Sequence, residues 1–253
     1  MSVRNILQQP FKLPKGITVP GELQIIHDHV SHIPGEAAAI RFFVPSSSDD
    51  LEAMRKILKG KQVKRWMDDT KQISRSQYHD WAGTKTNHSF LFAALNTRVS
   101  HTKMVKDARG FVYIYSEFEE KFRVRRMEKH GFLTPTKNER YALEISFAAR
   151  PLRGGKQKGS GIMSSAVRQS CFQVQKLLYV SNKPEVIIFG FVDPDNLGAR
   201  RTLEASGFVK KGKMKYDSNS PQESLLYVLS WRLLQRKIKA KVLAALGPEG
   251  KGV

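Results

Sequence analysis

The stretch from residue 141 to residue 180 constrains the chain more than any other. An apolar run over residues 141–149 (YALEISFAA) is followed by a loop rich in Gly and Lys over residues 150–161, and then by a helical pattern over residues 162–180. Strand, glycine-rich loop, helix is an order that builds a phosphate cradle. The turn leaves backbone N–H groups pointing outward at the positive end of the helix dipole, and glycine removes the Cβ atoms that would hold a phosphate away. Walker loops and dinucleotide folds use the same physics, and a plain structural turn has the same composition. The Walker spacing fails, because no Gly-Lys-Ser/Thr closes the loop. The second half of a dinucleotide fold is missing as well, since the other strands read mostly as a meander.

Those other elements follow from local pattern. Residues 38–44 form an apolar, aromatic strand, and Ser46, Ser47, Ser48, Asp49 and Asp50 then supply capping side chains ahead of Leu51, Met54, Ile57 and Leu58 at helical spacing. Trp66 and Trp81 bracket a polar helical stretch, and residues 89–95 and 110–116 read as two strands. Residues 121–129 (KFRVRRMEK) set cations around Phe122, Val124 and Met127 and fit a bent strand or a helix equally poorly. Residues 185–192 (EVIIFGFV) are a buried strand, Asp193-Pro194-Asp195-Asn196 ends it, and a helix over 196–205 stops at Ser206-Gly207. Strands over 209–216 and 225–231 close the sheet, and residues 231–246 are a basic amphipathic helix. The organisation expected is an N-terminal extension over 1–36, one domain over 37–231, and a basic helix and tail over 232–253. Proline and glycine punctuate the extension, where only residues 22–30 can make one regular element.

Composition narrows the classes. With 253 residues, 40% of them hydrophobic, the chain can bury a real core. No run of about 18 apolar residues occurs, which excludes a membrane-spanning helix. The single cysteine, Cys171, rules out an intramolecular disulfide, a Cys-rich zinc module and a redox pair, and fits a reducing compartment. The N-terminus has neither a signal-peptide core nor a transit-peptide pattern, so a cytoplasmic location is expected. His27, His29 and His32 lack carboxylates or thiols spaced to complete a metal set, and no metal is expected. Lys and Arg total 43 against 23 Asp and Glu, a formal charge of +20, so the surface draws polyanions such as nucleic acid and nucleotide cofactors.

Two segments together carry a family resemblance. Val192-Asp193-Pro194-Asp195-Asn196, then Ala199, then Leu203-Glu204-Ala205-Ser206-Gly207-Phe208, resembles the V-x-x-x-N-x-x-A…G-F signature of the Gcn5-related N-acetyltransferase superfamily. Lys156-Gln157-Lys158-Gly159-Ser160-Gly161 lies where that family has Q/R-x-x-G-x-G/A, and the elements from about residue 38 to 231 follow its order. The resemblance implies an α/β (α+β) fold with a mixed, largely antiparallel sheet of six to seven strands flanked by helices, and acetyl-CoA as cosubstrate. It places the pyrophosphate on Lys158, Gly159, Ser160 and Gly161, with Lys156 in the first position of the motif in place of Gln or Arg. It pairs the pantetheine arm with the strand at Ile145, Phe147 and Ala149, and sets Asn196 near that arm. It also puts Leu203 where many members carry the tyrosine that protonates the leaving thiolate. A CoA thiol with a pKa near about 8.5 is a tolerable leaving group without that help, and Ser206 or water is the substitute donor.

The attacking amine must lose a proton, and Glu144, a carboxylate in the middle of an apolar strand, is the expected base, with a pKa raised by burial. An arginine pairing with Glu144 is the competing reading. Asp193 and Asp195 are weaker candidates because Asp-Pro-Asp-Asn is also turn and cap chemistry. Cys171 reads as a buried, inert thiol, so transfer by direct attack is expected. Two functions follow. One is transfer of an acetyl group to a primary amine of a protein or a small molecule. The other is an RNA- or ribosome-binding protein on the same scaffold, carried by residues 121–129, Lys210, Lys211, Lys213, Lys215 and the terminal helix. That helix also fits an anionic membrane surface or a partner subunit.

Overall fold

Strands buried on both faces read as continuous apolar runs, and two such runs, 141–149 and 185–192, form the only parallel pair in the described sheet. The structure is a computed structural model that describes residues 32–33, 35–43, 47–66, 89–97, 108–115, 120–136, 140–150, 161–179, 185–216 and 222–246. Its strands are β1 (Ala38–Phe42), β2 (Ser89–Asn96), β3 (Ala108–Tyr115), β4 (Arg140–Ala149), β5 (Glu185–Val192), β6 (Phe208–Lys215) and β7 (Glu223–Leu229). They make one seven-stranded sheet in the order β1-β2-β3-β4-β5-β7-β6, antiparallel everywhere except between β4 and β5. The described helices are α1 (Ser48–Leu58), α2 (Lys61–Trp66), α3 (Glu120–Lys129), α4 (Ile162–Tyr179), α5 (Leu197–Ser206) and α6 (Trp231–Leu246). The mixed, largely antiparallel sheet expected from the sequence is therefore the one observed.

Alternation along β4 sorts the helices into two layers. Leu143 and Ile145 join Ala166, Val167, Cys171 and Val174 of α4, Leu203 of α5, and Leu234 and Ile238 of α6 in the larger core. Ala148 points the other way, to Met54, Ile57 and Leu58 of α1 and Val63 of α2, while Ala142 meets Met127 of α3. The larger core crosses both expected boundaries of the central domain, because Ile33 packs against it from one side and Leu234, Ile238 and Val242 from the other. Trp231 fixes the start of α6 by donating its indole N–H to the Val186 carbonyl at 3.0 Å.

Residues 121–129 resolve as a helix. Arg123 and Met127 are buried and Val124 is half-buried, whereas Arg125 and Lys129 are exposed. The inward stripe thus contains a cation, which is why neither apolar period fits the segment. The helix expected between Trp66 and Trp81, the element over 22–30, and His27 and His29 lie outside the described residues. His32 is described, with its Nε2 3.1 Å from the Glu36 carbonyl.

Candidate active site

The feature that organises the site is a split in the sheet. β4 pairs with β5 only from Arg140 opposite Glu185 to Glu144 opposite Phe189. Beyond that point β4 stays paired to β3 from Glu144 to Ala149, and β5 turns to β7 from Phe189 to Val192. Residues 145–149 consequently present a backbone edge with no described strand on the β5 side, and an extended chain can add there by strand-like hydrogen bonding. A Cβ on Gly190 would lie 3.1 Å from Ile145 Cγ2, so glycine eases the close approach of β5 to β4 at the root of the split, with Leu203 Cδ1 in ordinary contact at 3.8 Å. Leu203 of α5 is 1% exposed and presents an aliphatic side chain at this point.

The helix that follows the glycine-rich loop starts beside this split. Gly161 has φ of +68°, a left-handed conformation that costs an L side chain about 1–2 kcal/mol. Its carbonyl accepts the Ser165 N–H at 2.9 Å, opening the first turn of α4, and the Ser164 hydroxyl at 3.1 Å. Gly110 on β3 seats that turn. A Cβ there would come within 2.5 Å of both Met163 Sδ and the Ala148 carbonyl oxygen. Lys156, Lys158, Gly159 and Ser160 fall outside the described residues. Of the strand positions expected to carry the cofactor, Ile145 is buried and Phe147 and Ala149 are half-buried. Asn196 caps α5, its side-chain oxygen accepting the Ala199 N–H at 3.1 Å. Asp193 serves the same turn, accepting the Asp195 N–H at 2.8 Å.

Glu144 sits at the last β4–β5 pair and is 5% exposed. Its Oε2 is ion-paired with Nη1 of Arg123, itself 4% exposed, and receives the Tyr216 hydroxyl at 3.4 Å. Arg123 also lies over the Tyr216 ring, 4.2 Å from its centroid, and the Tyr216 ring meets Phe191 edge-on at 5.3 Å. Tyr115 is directly across from Glu144 on β3 and stacks on Tyr113 at 4.3 Å. The sequence admits an arginine partner for Glu144 without naming one, and Arg123 is hidden inside a segment that reads as surface charge. Glu144 is therefore both buried, as expected, and paired with an arginine, as the competing reading has it. Cys171 lies on α4, fully buried, and burial pushes its thiol well above the ordinary range. Ser206 is buried and its hydroxyl lies 2.7 Å from the Thr202 carbonyl and 3.0 Å from that of Ser164, so its proton is committed to backbone. Among the described residues no group of three or more His, Cys, Asp or Glu is placed to hold a metal, and no helix is long and apolar enough to cross a membrane.

No family model matches the sequence, and no curated protein matches it. Solved structures do match in fold. RimJ of Mycobacterium smegmatis in complex with CoA-disulfide is 16% identical, with 86% of this chain and 93% of that one covered and a TM-score of 0.52. AAC(6')-Ib in complex with parmomycin and acetyl-CoA is 15% identical over 79% of this chain and 97% of the other, with a TM-score of 0.53. A GNAT-family acetyltransferase from Bacillus anthracis is 16% identical over 79% and 96%, with a TM-score of 0.50. The strand order, the single parallel pair and its split, and the agreement with these structures lead to one conclusion: the chain has the fold of the Gcn5-related N-acetyltransferase superfamily.

Proposed function

We propose that the protein transfers the acetyl group of acetyl-CoA to a primary amine, of a protein or a small molecule, by direct attack in a ternary complex in the cytoplasm. The observation that carries this reading is the split between β4 and β5 with the first turn of α4 beside it. The residues present fit the cosubstrate. The edge at 145–149, beside which no strand lies among the described residues, can bind an amide-bearing arm by backbone hydrogen bonds, and the left-handed Gly161 at the start of α4 leaves room for a phosphate. Lys156, Lys158, Gly159 and Ser160 would complete the anion site. Acetyl-CoA supplies an acyl group already activated as a thioester, so the chain has to bind, orient and deprotonate the acceptor.

Glu144 is the proposed proton acceptor, with Arg123 and Tyr216 orienting its carboxylate. Neither Leu203 nor Ser206 offers a proton to the leaving thiolate, which on this reading departs as the anion or takes a proton from water. The buried Cys171 gives no accessible nucleophile, which favours direct attack over an acyl-enzyme. RimJ and AAC(6')-Ib were captured with CoA-disulfide and acetyl-CoA respectively, and their likeness supports the cosubstrate.

The test is binding. Saturating CoA should raise the melting temperature of the full chain, because a ligand held only by the folded state stabilises it by mass action. Gly161→Val should abolish the shift while the unliganded protein still melts cooperatively. No shift and no heat of binding with wild type would refute the proposal.

A further inference from the structure

The basic helix over 121–129 and the lysine-rich strand near residue 210 are remote in sequence, yet the fold sets them side by side. Arg126 Nη2 donates to the Lys215 carbonyl at 3.2 Å, tying α3 to the upper end of β6. Past the helix, the chain presses Phe132 onto β6 at Gly212, where a Cβ would stand 2.6 Å from the ring. β6 is the outermost of the described strands on its side of the sheet, and Lys210, Lys213 and Lys215 along it are exposed. Register places Lys210 opposite Tyr227 and Lys213 opposite Leu225, so these lysines line the face that carries α5. Lys213 and Lys215, two residues apart, are spaced by about 7 Å. Arg125 and Lys129 are exposed on α3, on the opposite face. Two carboxylates share this edge, Glu128 on α3 and Glu223 opposite Lys215.

Lysines on an edge strand guard against strand pairing with a second chain, which accounts for β6 taken alone. It does not account for a second cationic element fastened to that strand from the other face. An aromatic ring completes the arrangement: exposed His130 stacks on Phe132 at 5.7 Å with 20° between the planes, beside the cations. Cations spaced along an extended edge with a ring at one side match a single-stranded nucleic acid, whose phosphates and base faces need both.

We propose that the β6 edge and the outer side of α3 form a binding surface for single-stranded nucleic acid. Phosphates lie along Lys210, Lys213, Lys215, Arg125 and Lys129, and a base stacks on His130. The surface adjoins the Glu144 cluster, since Tyr216 follows Lys215 and Arg123 lies one turn before Arg126 on α3. A strand held there passes beside that cluster. This proposal stands apart from acetyl transfer, because binding needs neither cosubstrate nor turnover.

The experiment is fluorescence anisotropy of the full chain with labelled single-stranded RNA and DNA of about 20 nucleotides across a salt series. Wild type should bind with a steep salt slope. The double variant Lys213→Ala/Lys215→Ala should flatten that slope by about 1.4, at about 0.7 for each phosphate that is no longer neutralised. Removing the same charge from α6, with Arg232→Ala/Arg236→Ala, should leave the slope unchanged. His130→Ala should weaken binding about ten-fold with no change of slope, because stacking releases no counterion. No binding at low salt, equal losses from the two double variants, or tighter binding to phosphatidylserine vesicles than to either oligonucleotide would overturn the proposal. Thermal unfolding of each variant checks that the fold is kept.

Discussion

At the residue scale, the proposed chemistry rests on one carboxylate that the fold has not left alone. Glu144 faces Arg123 and the Tyr216 hydroxyl, so its substitution changes two things at once. Glu144→Gln keeps the shape and a hydrogen-bond acceptor for Arg123, and should lower turnover by about 10²-fold while CoA affinity stays the same. Turnover has to be compared at a temperature where the variant is folded, because the guanidinium then lacks its counter-charge. Unchanged turnover would assign Glu144 and Arg123 a structural role only. Tyr227 offers a test of the packing by pH. Its phenol is buried and donates to Glu204 Oε1 at 2.8 Å, and burial, then the Glu204 carboxylate, raises its pKa above the ordinary 10.0. A group whose folded pKa is raised gives stability that is complete below the unfolded pKa and is lost as pH climbs through the folded one. Unfolding free energy should therefore decline above about pH 10, and Tyr227→Phe should decline less steeply. Parallel curves for the two proteins in urea melts at rising pH would contradict this.

At the element scale, the seating of α4 is the prediction with most consequence for the site. Gly110 lies under Met163 and against the Ala148 carbonyl, so a Cβ there has to displace the Met163 side chain and the β4 backbone on which the first turn of α4 rests. Gly110→Ala should weaken CoA binding by ten-fold or more, measured by calorimetry. A far smaller loss of stability than of affinity would show that the turn moves while the core stays closed. Intact affinity would mean that the turn is not part of the cosubstrate site. The elements also show what the chain declares openly. β1, β4, β5 and α6 are legible because each apolar run has one period and one length, and α5 because Asn196 and Gly207 punctuate it at both ends. α3 is not legible, because its inward stripe includes Arg123, whose partner Glu144 stands on another element. The split between β4 and β5 is equally silent in the sequence. It depends on where β7 pairs with β5, a long-range matter that no local pattern encodes. The Asn196 cap is legible through motif spacing, whereas the Arg123, Tyr115 and Tyr216 surroundings of Glu144 are assembled only by the sheet.

At the scale of the whole molecule, the first described residues act as a strap across α4. Glu36, 4% exposed, receives Arg168 Nε at 2.7 Å and is ion-paired with a second guanidinium nitrogen, while Arg168 Nη1 reaches the Ala205 carbonyl at 2.9 Å. Gln169 accepts the Ile33 N–H at 2.9 Å and donates to the Ala38 carbonyl at 2.6 Å, and Ser165 accepts the Ala38 N–H at 3.0 Å. Gly35 lies against the Lys241 carbonyl, so the strap also meets α6. It therefore ties β1 to α4, α5 and α6, the helices that pack on one face of the sheet. Removing one partner of a buried pair leaves the other charge uncompensated, at about 3–5 kcal/mol, a large share of the roughly 5–15 kcal/mol that keeps a domain folded. Glu36→Ala should accordingly lower the urea midpoint sharply with little change of m. Replacing both members, Glu36→Gln with Arg168→Met, should recover much of the loss, because no ion then remains buried. If Glu36→Ala unfolds at the wild-type midpoint, the strap is not holding the face together. If the double variant is no more stable than the single one, the loss comes from packing and the backbone hydrogen bond to Ala205, not from the stranded charge.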